Sequence, residues 1–309
     1  MTVPPGPAPL GGAGSGWPVR VCVRHPDRET GLSCVRCDRP ACSACLREAS
    51  VGYQCVDCVA TGARAVRRVT TVAGAEPTGR LVVVPVLIAI NVVIFAITVV
   101  QAGSLGGNAA AELFQQWGLW TTAVAGGELW RLFTSGFLHF GPIHLAFNMI
   151  ALWVIGRDLE QVLGQARFLA VYLVSLLGGS LAVFLFEDEF KMTAGASGAV
   201  FGLMGGLVVV LRRMRRSPGP ALLIIALNVF ITFAVPGISK YGHLGGLLFG
   251  AVVTAGMVYA PRHRRVAVQA ATVATLLAVI MIGVLVRDTQ FGTVTGCTTE
   301  PQLACLVGR

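Results

Sequence analysis

The chain alternates apolar runs with short arginine-rich breaks, and that alternation decides what it can fold into. Residues 81–102 are nearly all apolar, and ~20 such residues cross a hydrocarbon core ~30 Å thick. Pro85 falls in the first turn of this run, where a missing N–H costs little. Further runs lie at about 143–159, 168–186, 197–211, 220–235, 241–260 and 266–286, so seven spans are expected. Only 13% of residues are charged, against roughly 25% in soluble domains. An all-α polytopic membrane protein with a polar N-terminal piece fits these totals. The net charge of +9 does not point to nucleic acid, because Lys and Arg sit mostly between apolar runs, where topology explains them.

Charge sets the expected orientation. With seven spans, one side receives 13 Lys and Arg (Arg64 to Arg80, Arg157 and Arg167, Arg212 to Arg216, Arg262 to Arg265). The other receives five: Arg131, Lys191, Lys240, Arg287 and Arg309. The richer side is expected to be cytoplasmic. That places the N-terminus in the cytosol and the tail, 287–309, outside the cell membrane, where Cys297 and Cys305 could pair. The N-terminus lacks a basic stretch leading into an apolar core, so no signal peptide is expected.

Residues 1–19, rich in Pro and Gly, are expected to be disordered. From 20 to 60, four ligand pairs follow: Cys22 and His25, Cys34 and Cys37, Cys42 and Cys45, Cys55 and Cys58. Eight ligands suffice for two tetrahedral zinc sites, and a domain of ~40 residues needs such help to fold. If alternate pairs share a metal, one site takes Cys22, His25, Cys42 and Cys45, and the other Cys34, Cys37, Cys55 and Cys58. Sequential pairing is the other grouping. A disulfide-rich module competes less well, because His25 completes a metal-type pair on a reducing side. Fully coordinated zinc is structural, so the module is expected to recruit a cytosolic partner or a substrate tail, or to be a passive folded cap. Its spacing resembles B-box-type zinc fingers. A basic linker, 61–80, leads to the membrane domain, 81–286.

The fourth run is unusual. From Ser197 to the cluster at Arg212 a helix reaches only about 22 Å, so the serine would start its helix inside the bilayer. Polar groups within spans are costly and therefore informative. His144 and Asn148 share a helical face in span two. His243 opens span six ahead of a glycine ladder, Gly242, Gly246 and Gly250, and span four carries its own, Gly198, Gly202 and Gly206. Such ladders let helices approach closely. If these two meet, Ser197 and His243 come within reach, and a serine beside a histidine is an activated nucleophile. No carboxylate in the relevant spans orients the imidazole, so a dyad is expected. The Ser197 N–H, the Asn148 amide and a His144 ring N–H could bind an oxyanion. The loop 103–142 carries Phe114, Trp117, Leu119, Trp120, Trp130, Phe133 and Phe137 and is expected to lie partly at the headgroups, with Arg131 anchoring it there. Glu187, Asp188 and Glu189 read as an exposed acidic loop.

These residues resemble the rhomboid intramembrane serine proteases. Gly195-Ala196-Ser197-Gly198 is similar to the family's GxSG motif, His139, His144 and Asn148 to its second-span signature, Trp130-Arg131 to its loop WR pair, and His243 to its sixth-span histidine. The resemblance covers about 81–286. It implies a six-helix rhomboid-like core, to which the seventh transmembrane helix and the zinc module are additions. It also implies a Ser197–His243 dyad needing no catalytic cofactor, with His144, Asn148, Gly195 and His139 in or near the oxyanion site. Membrane-anchored proteins would be cut near the outer face, with span five gating their entry. Phe201 stands where some relatives carry Tyr stacked on the catalytic histidine. A catalytically inactive relative that retains or escorts membrane clients is the alternative; a transporter would need ionisable residues through the midplane, which the spans lack.

Overall fold

The computed structural model describes residues 20–65, 70–77 and 79–291, and the backbone of 293–298 and 304–308. The segment expected to be disordered, 1–19, lies outside the described residues, as do 66–69 and 78 in the linker. The chain divides into two compact units, Met1–Arg68 and Val69–Arg309.

In the first unit β1 (Val21–Cys22) pairs antiparallel with β2 (His25–Glu29), and β3 (Leu46–Glu48) with β4 (Tyr53–Cys55). Helix α1 (Val56–Ala65) follows and runs past the expected boundary at residue 60, so the linker begins as helix. Apart from cysteines, the buried core here is Ala41 and Leu46. That is far too little apolar burial to offset chain entropy.

The second unit is helical. In order come α2 (Val83–Ala102), the short α3 (Glu112–Trp117), α4 (Thr121–Ala125) and α5 (Arg131–Thr134), then α6 (Gly141–Leu163), α7 (Gln165–Phe186), α8 (Ser197–Arg213), α9 (Gly219–Ala234), α10 (Lys240–Tyr259) and α11 (Arg265–Phe291). By length and composition, four helices in the described residues can cross a membrane: α2, α7, α10 and the stretch Arg262–Gln290. The pair Arg131–Phe137 and Gly141–Leu163, bent by 93°, makes a fifth if taken as one span. Helices α8 and α9, with 17 and 16 residues, reach only about 26 and 24 Å. All of this is a multi-pass membrane architecture.

The two glycine ladders meet. A Cβ on Gly246 would land on the Gly198 backbone, one on Gly250 on the Gly202 backbone, and one on Gly206 on Thr254. Partners advance together along both helices, so α8 and α10 run parallel with their N-terminal ends level. Gly179 of α7 joins them: its Cβ would lie 2.7 Å from the Gly242 carbonyl oxygen and 3.4 Å from Gly198 Cα. Three backbones thus converge where α8 and α10 begin.

Several polar residues do not behave as the sequence suggests. Arg131 is no headgroup anchor: it is 1% exposed. Its Nη1 donates to the carbonyls of Gln115 and Gly118, and its Nε pairs with Glu128. A planar fork with five donors can close such a loop on itself. Burial also claims much of the loop's apolar surface. Phe114, Leu119 and Phe137 are buried, while Trp130 and Phe133 stay exposed. Glu187 is not part of an exposed acidic loop; its side chain is 8% exposed, pairs with Lys191 and accepts from the Ser239 hydroxyl. Ser239 in turn caps α10 by accepting from the Gly242 N–H. Glu160, on α6, accepts from the N–H groups of Val82, Val83 and Val84 at 2.8–3.0 Å. It serves the helix start that no side chain of α2 caps.

Helix α11 outruns the expected end of the membrane domain at residue 286. Beyond it β5 (Thr293–Thr298) and β6 (Ala304–Gly308) pair antiparallel with Cys297 opposite Cys305. The pairing of those thiols lies outside the described side chains.

Candidate active site and metal clusters

Ser197 is the first residue of α8. The approach to it is held from the long loop: Leu119 and Thr193 exchange two backbone hydrogen bonds of 2.9 Å, and the Gly195 N–H donates to the Ser135 carbonyl. Gly195 has φ +135°, a conformation that favours glycine. A Cβ there would meet His144 Cε1 at 2.7 Å and Nε2 at 3.0 Å, with Ser197 Oγ 3.6 Å away. The missing Cβ at Gly195 therefore lets the Nε2 edge of His144 and the Ser197 hydroxyl lie against the same point of the chain.

His144 turns that edge inward because its other nitrogen is engaged. The Phe140 N–H donates to His144 Nδ1 at 3.2 Å. Accepting there leaves the neutral ring its proton on Nε2, so His144 presents a donor. One turn along α6, Asn148 Nδ2 donates to the His144 carbonyl at 2.9 Å, which uses one of its two amide hydrogens. His139 is 1% exposed, with its ring edge-on to His144 at 5.1 Å between centroids. Asn108, which no local sequence pattern marks, fixes this corner by donating to the His139 carbonyl and accepting from the Gly141 N–H.

His243 lies in the first turn of α10, and its ring stacks on Phe201 at 4.0 Å and 16°. Phe201 sits one helical turn beyond Ser197, hence on the same face of α8. At the edge of its ring, His243 Nδ1 is 2.7 Å from Thr232 Oγ1 of α9. Ser197, Gly195, His144 and His243 therefore gather around the joined heads of α8 and α10, with Asn148 a turn behind His144 on α6.

Residues 126–260 match the model of the Rhomboid domain. This segment is similar to the rhomboid domain. The rhomboid protease GluP of Bacillus subtilis is 42% identical over 139 residues, covering 43% of this chain and 27% of the relative. A mitochondrial RHOMBOID-like protein 6 of Arabidopsis thaliana is 41% identical over 138 residues, 42% of this chain and 44% of the relative. The rhomboid-type serine protease 2 of Emericella nidulans is 28% identical over 144 residues, 45% and 29% of the two chains. In each of these three pairs the matched stretch spans less than half of the relative. The match to the rhomboid domain lies wholly in the helical unit and leaves the cysteine-rich unit outside it.

In that first unit the structure groups the ligands by alternate pairs: Cys22, His25, Cys42 and Cys45, then Cys34, Cys37, Cys55 and Cys58. Tetrahedral zinc with bonds of ~2.3 Å to sulfur and ~2.05 Å to nitrogen needs N···S near ~3.6 Å and S···S near ~3.8 Å. His25 Nδ1 lies 3.7, 3.5 and 3.3 Å from the sulfurs of Cys22, Cys42 and Cys45. Cys37 and Cys55 are 3.8 Å apart. The spacing fits zinc. So do the electrostatics: backbone N–H groups, led by those of Cys42 and Cys55, bring the Cys22 and Cys34 thiols down to about 6. Burial, then the thiols of Cys22 and Cys42, push Cys45 up to about 11; the Cys37 thiol, then burial, push Cys58 up to about 12. A central cation in each cluster would let all its sulfurs ionise together.

Proposed function

We propose that the protein is an intramembrane serine endopeptidase that cuts membrane-anchored proteins. Ser197 Oγ attacks the scissile carbonyl while His243 Nε2 takes its proton. Charge developing on the carbonyl oxygen is met by the Ser197 N–H, the His144 Nε2–H and the second amide hydrogen of Asn148. His139 buttresses His144. The proton on His243 passes to the leaving amine, and water then releases the acyl group from Ser197 by the same route in reverse. The observation that carries this reading is the close approach at Gly195, where the Nε2 edge of His144 and Ser197 Oγ lie against the same point of the chain. A helical peptide bond hides its carbonyl, so substrates with helix-weakening residues near the cut should react faster.

On this reading a six-helix core with a seventh span holds the site near the outer face. The N-terminus is cytoplasmic and the C-terminus exported, in keeping with the arginine distribution. The first unit carries two structural zinc ions, distant from the chemistry in role, and recruits a cytosolic protein or a substrate tail. The test is Ser197→Ala in native membranes with a tethered reporter substrate. Loss of cleavage with normal insertion is expected, together with loss of fluorophosphonate labelling. Unchanged cleavage would refute the assignment. An unlabelled but client-binding wild type would favour an escort role instead.

A further inference from the structure

Among the described residues no carboxylate pairs with the histidine proposed as base, yet its Nδ1 is engaged. Thr232 Oγ1 lies 2.7 Å from it, and the same hydroxyl lies 2.8 Å from the Asn228 carbonyl. A hydroxyl has one hydrogen. The Asn228 carbonyl can only accept, so the Thr232 hydrogen is spent there. Nδ1 must then be the donor in the contact with Thr232. Neutral His243 is thereby fixed with its proton on Nδ1 and its lone pair on Nε2, the arrangement a general base needs. Its neighbour His144 is set the opposite way, because a backbone N–H faces its Nδ1. Two histidines of one site are given opposite proton placements, one to accept and one to donate.

Thr232 also has a place in the fold that matters. Helix α9 shows most of its side chains outward; Leu223, Phe230 and Phe233 are 61–72% exposed, and in this helix the buried residues are Ala221 and Thr232. Thr232 is thus the point in the second half of α9 that is seated against the bundle, and it is seated on His243.

We propose that Thr232 is a positioning residue: it holds the His243 tautomer and ring angle, and so makes the base competent only while α9 is docked. The inference rests on the Ser197–His243 reading.

The test compares Thr232→Val, Thr232→Ala and Thr232→Ser in membranes with the reporter substrate, with Ser197→Ala beside them. Val and Ala are expected to lower kcat about ten- to hundredfold, the range of one hydrogen bond to a group that becomes charged, with KM within about twofold. Ser, which keeps the hydroxyl, is expected to stay near wild type. The Ser/Ala pair differs little in volume, so the comparison holds even if Val disturbs folding. Fluorophosphonate labelling of Ser197 should slow in parallel. Wild-type kcat in Thr232→Ala would overturn the proposal, as would a Ser variant as slow as Ala, which would make the methyl the important group. Cleavage surviving Ser197→Ala would instead remove the protease reading itself, and this inference with it.

Discussion

Gly179→Ala offers a stringent test of how the site is built. The new Cβ would sit 2.7 Å from the carbonyl oxygen of Gly242, the residue before His243, and 3.4 Å from Gly198 Cα, the residue after Ser197. Ordinary contact begins near 3.4 Å, so α7 and the head of α10 must part by about 0.7 Å, and both obstacles are backbone that cannot rotate away. Overpacking of this kind costs about 1–3 kcal/mol. A misplacement near 1 Å in a reacting geometry costs about a hundredfold, so kcat should fall by about tenfold or more. Cleavage of a tethered reporter in membranes, with denaturant unfolding in detergent micelles, reads both effects. Gly106→Ala, where a Cβ would meet nothing within 4 Å, should be neutral in both. If Gly179→Ala behaved like Gly106→Ala, the idea that backbone contact positions His243 against Ser197 would be wrong.

Asn148→Ala should lower kcat by about a hundredfold with little change in KM, the loss typical of one oxyanion donor. Glu160→Ala strips three N–H groups of α2 of their acceptor and should cost about 2–4 kcal/mol in micelle unfolding while leaving the heads of α8 and α10 intact. Arg131→Lys cannot reproduce a fork that reaches Gln115, Gly118 and Glu128; a loss of about 2 kcal/mol and faster proteolysis of the 103–142 loop are expected. A chelator should expose the seven cysteines between Cys22 and Cys58 to alkylation while leaving the helical unit's melting unchanged.

The sequence makes local periodicity legible. Glycines four apart on two runs announce that α8 and α10 touch, and the fold brings Gly198 to Gly246 and Gly202 to Gly250. The ligand pairs likewise announce metal, and the alternate grouping was one of the two open to it. What stays hidden is partner choice over long separations. Glu160 reads as a charge at the end of a span until Val82 to Val84 arrive 76 to 78 residues away in sequence. Arg131 looks like a headgroup anchor because nothing local shows that its loop folds over it. Thr232 looks like any threonine bonded back to its own helix, and it does make that bond. Only the tertiary fold adds His243.

The order of the ligand pairs has one more consequence. Each cluster draws its second pair from beyond the first pair of the other, so the loops that close them interlock. Once loaded, neither ion can leave without freeing a segment that the other needs for its own closure. Metal uptake by this unit should thus be a single concerted event, with an empty, unravelled chain and a doubly filled one in exchange and little between. This unit would then behave as a binary gauge of metal supply.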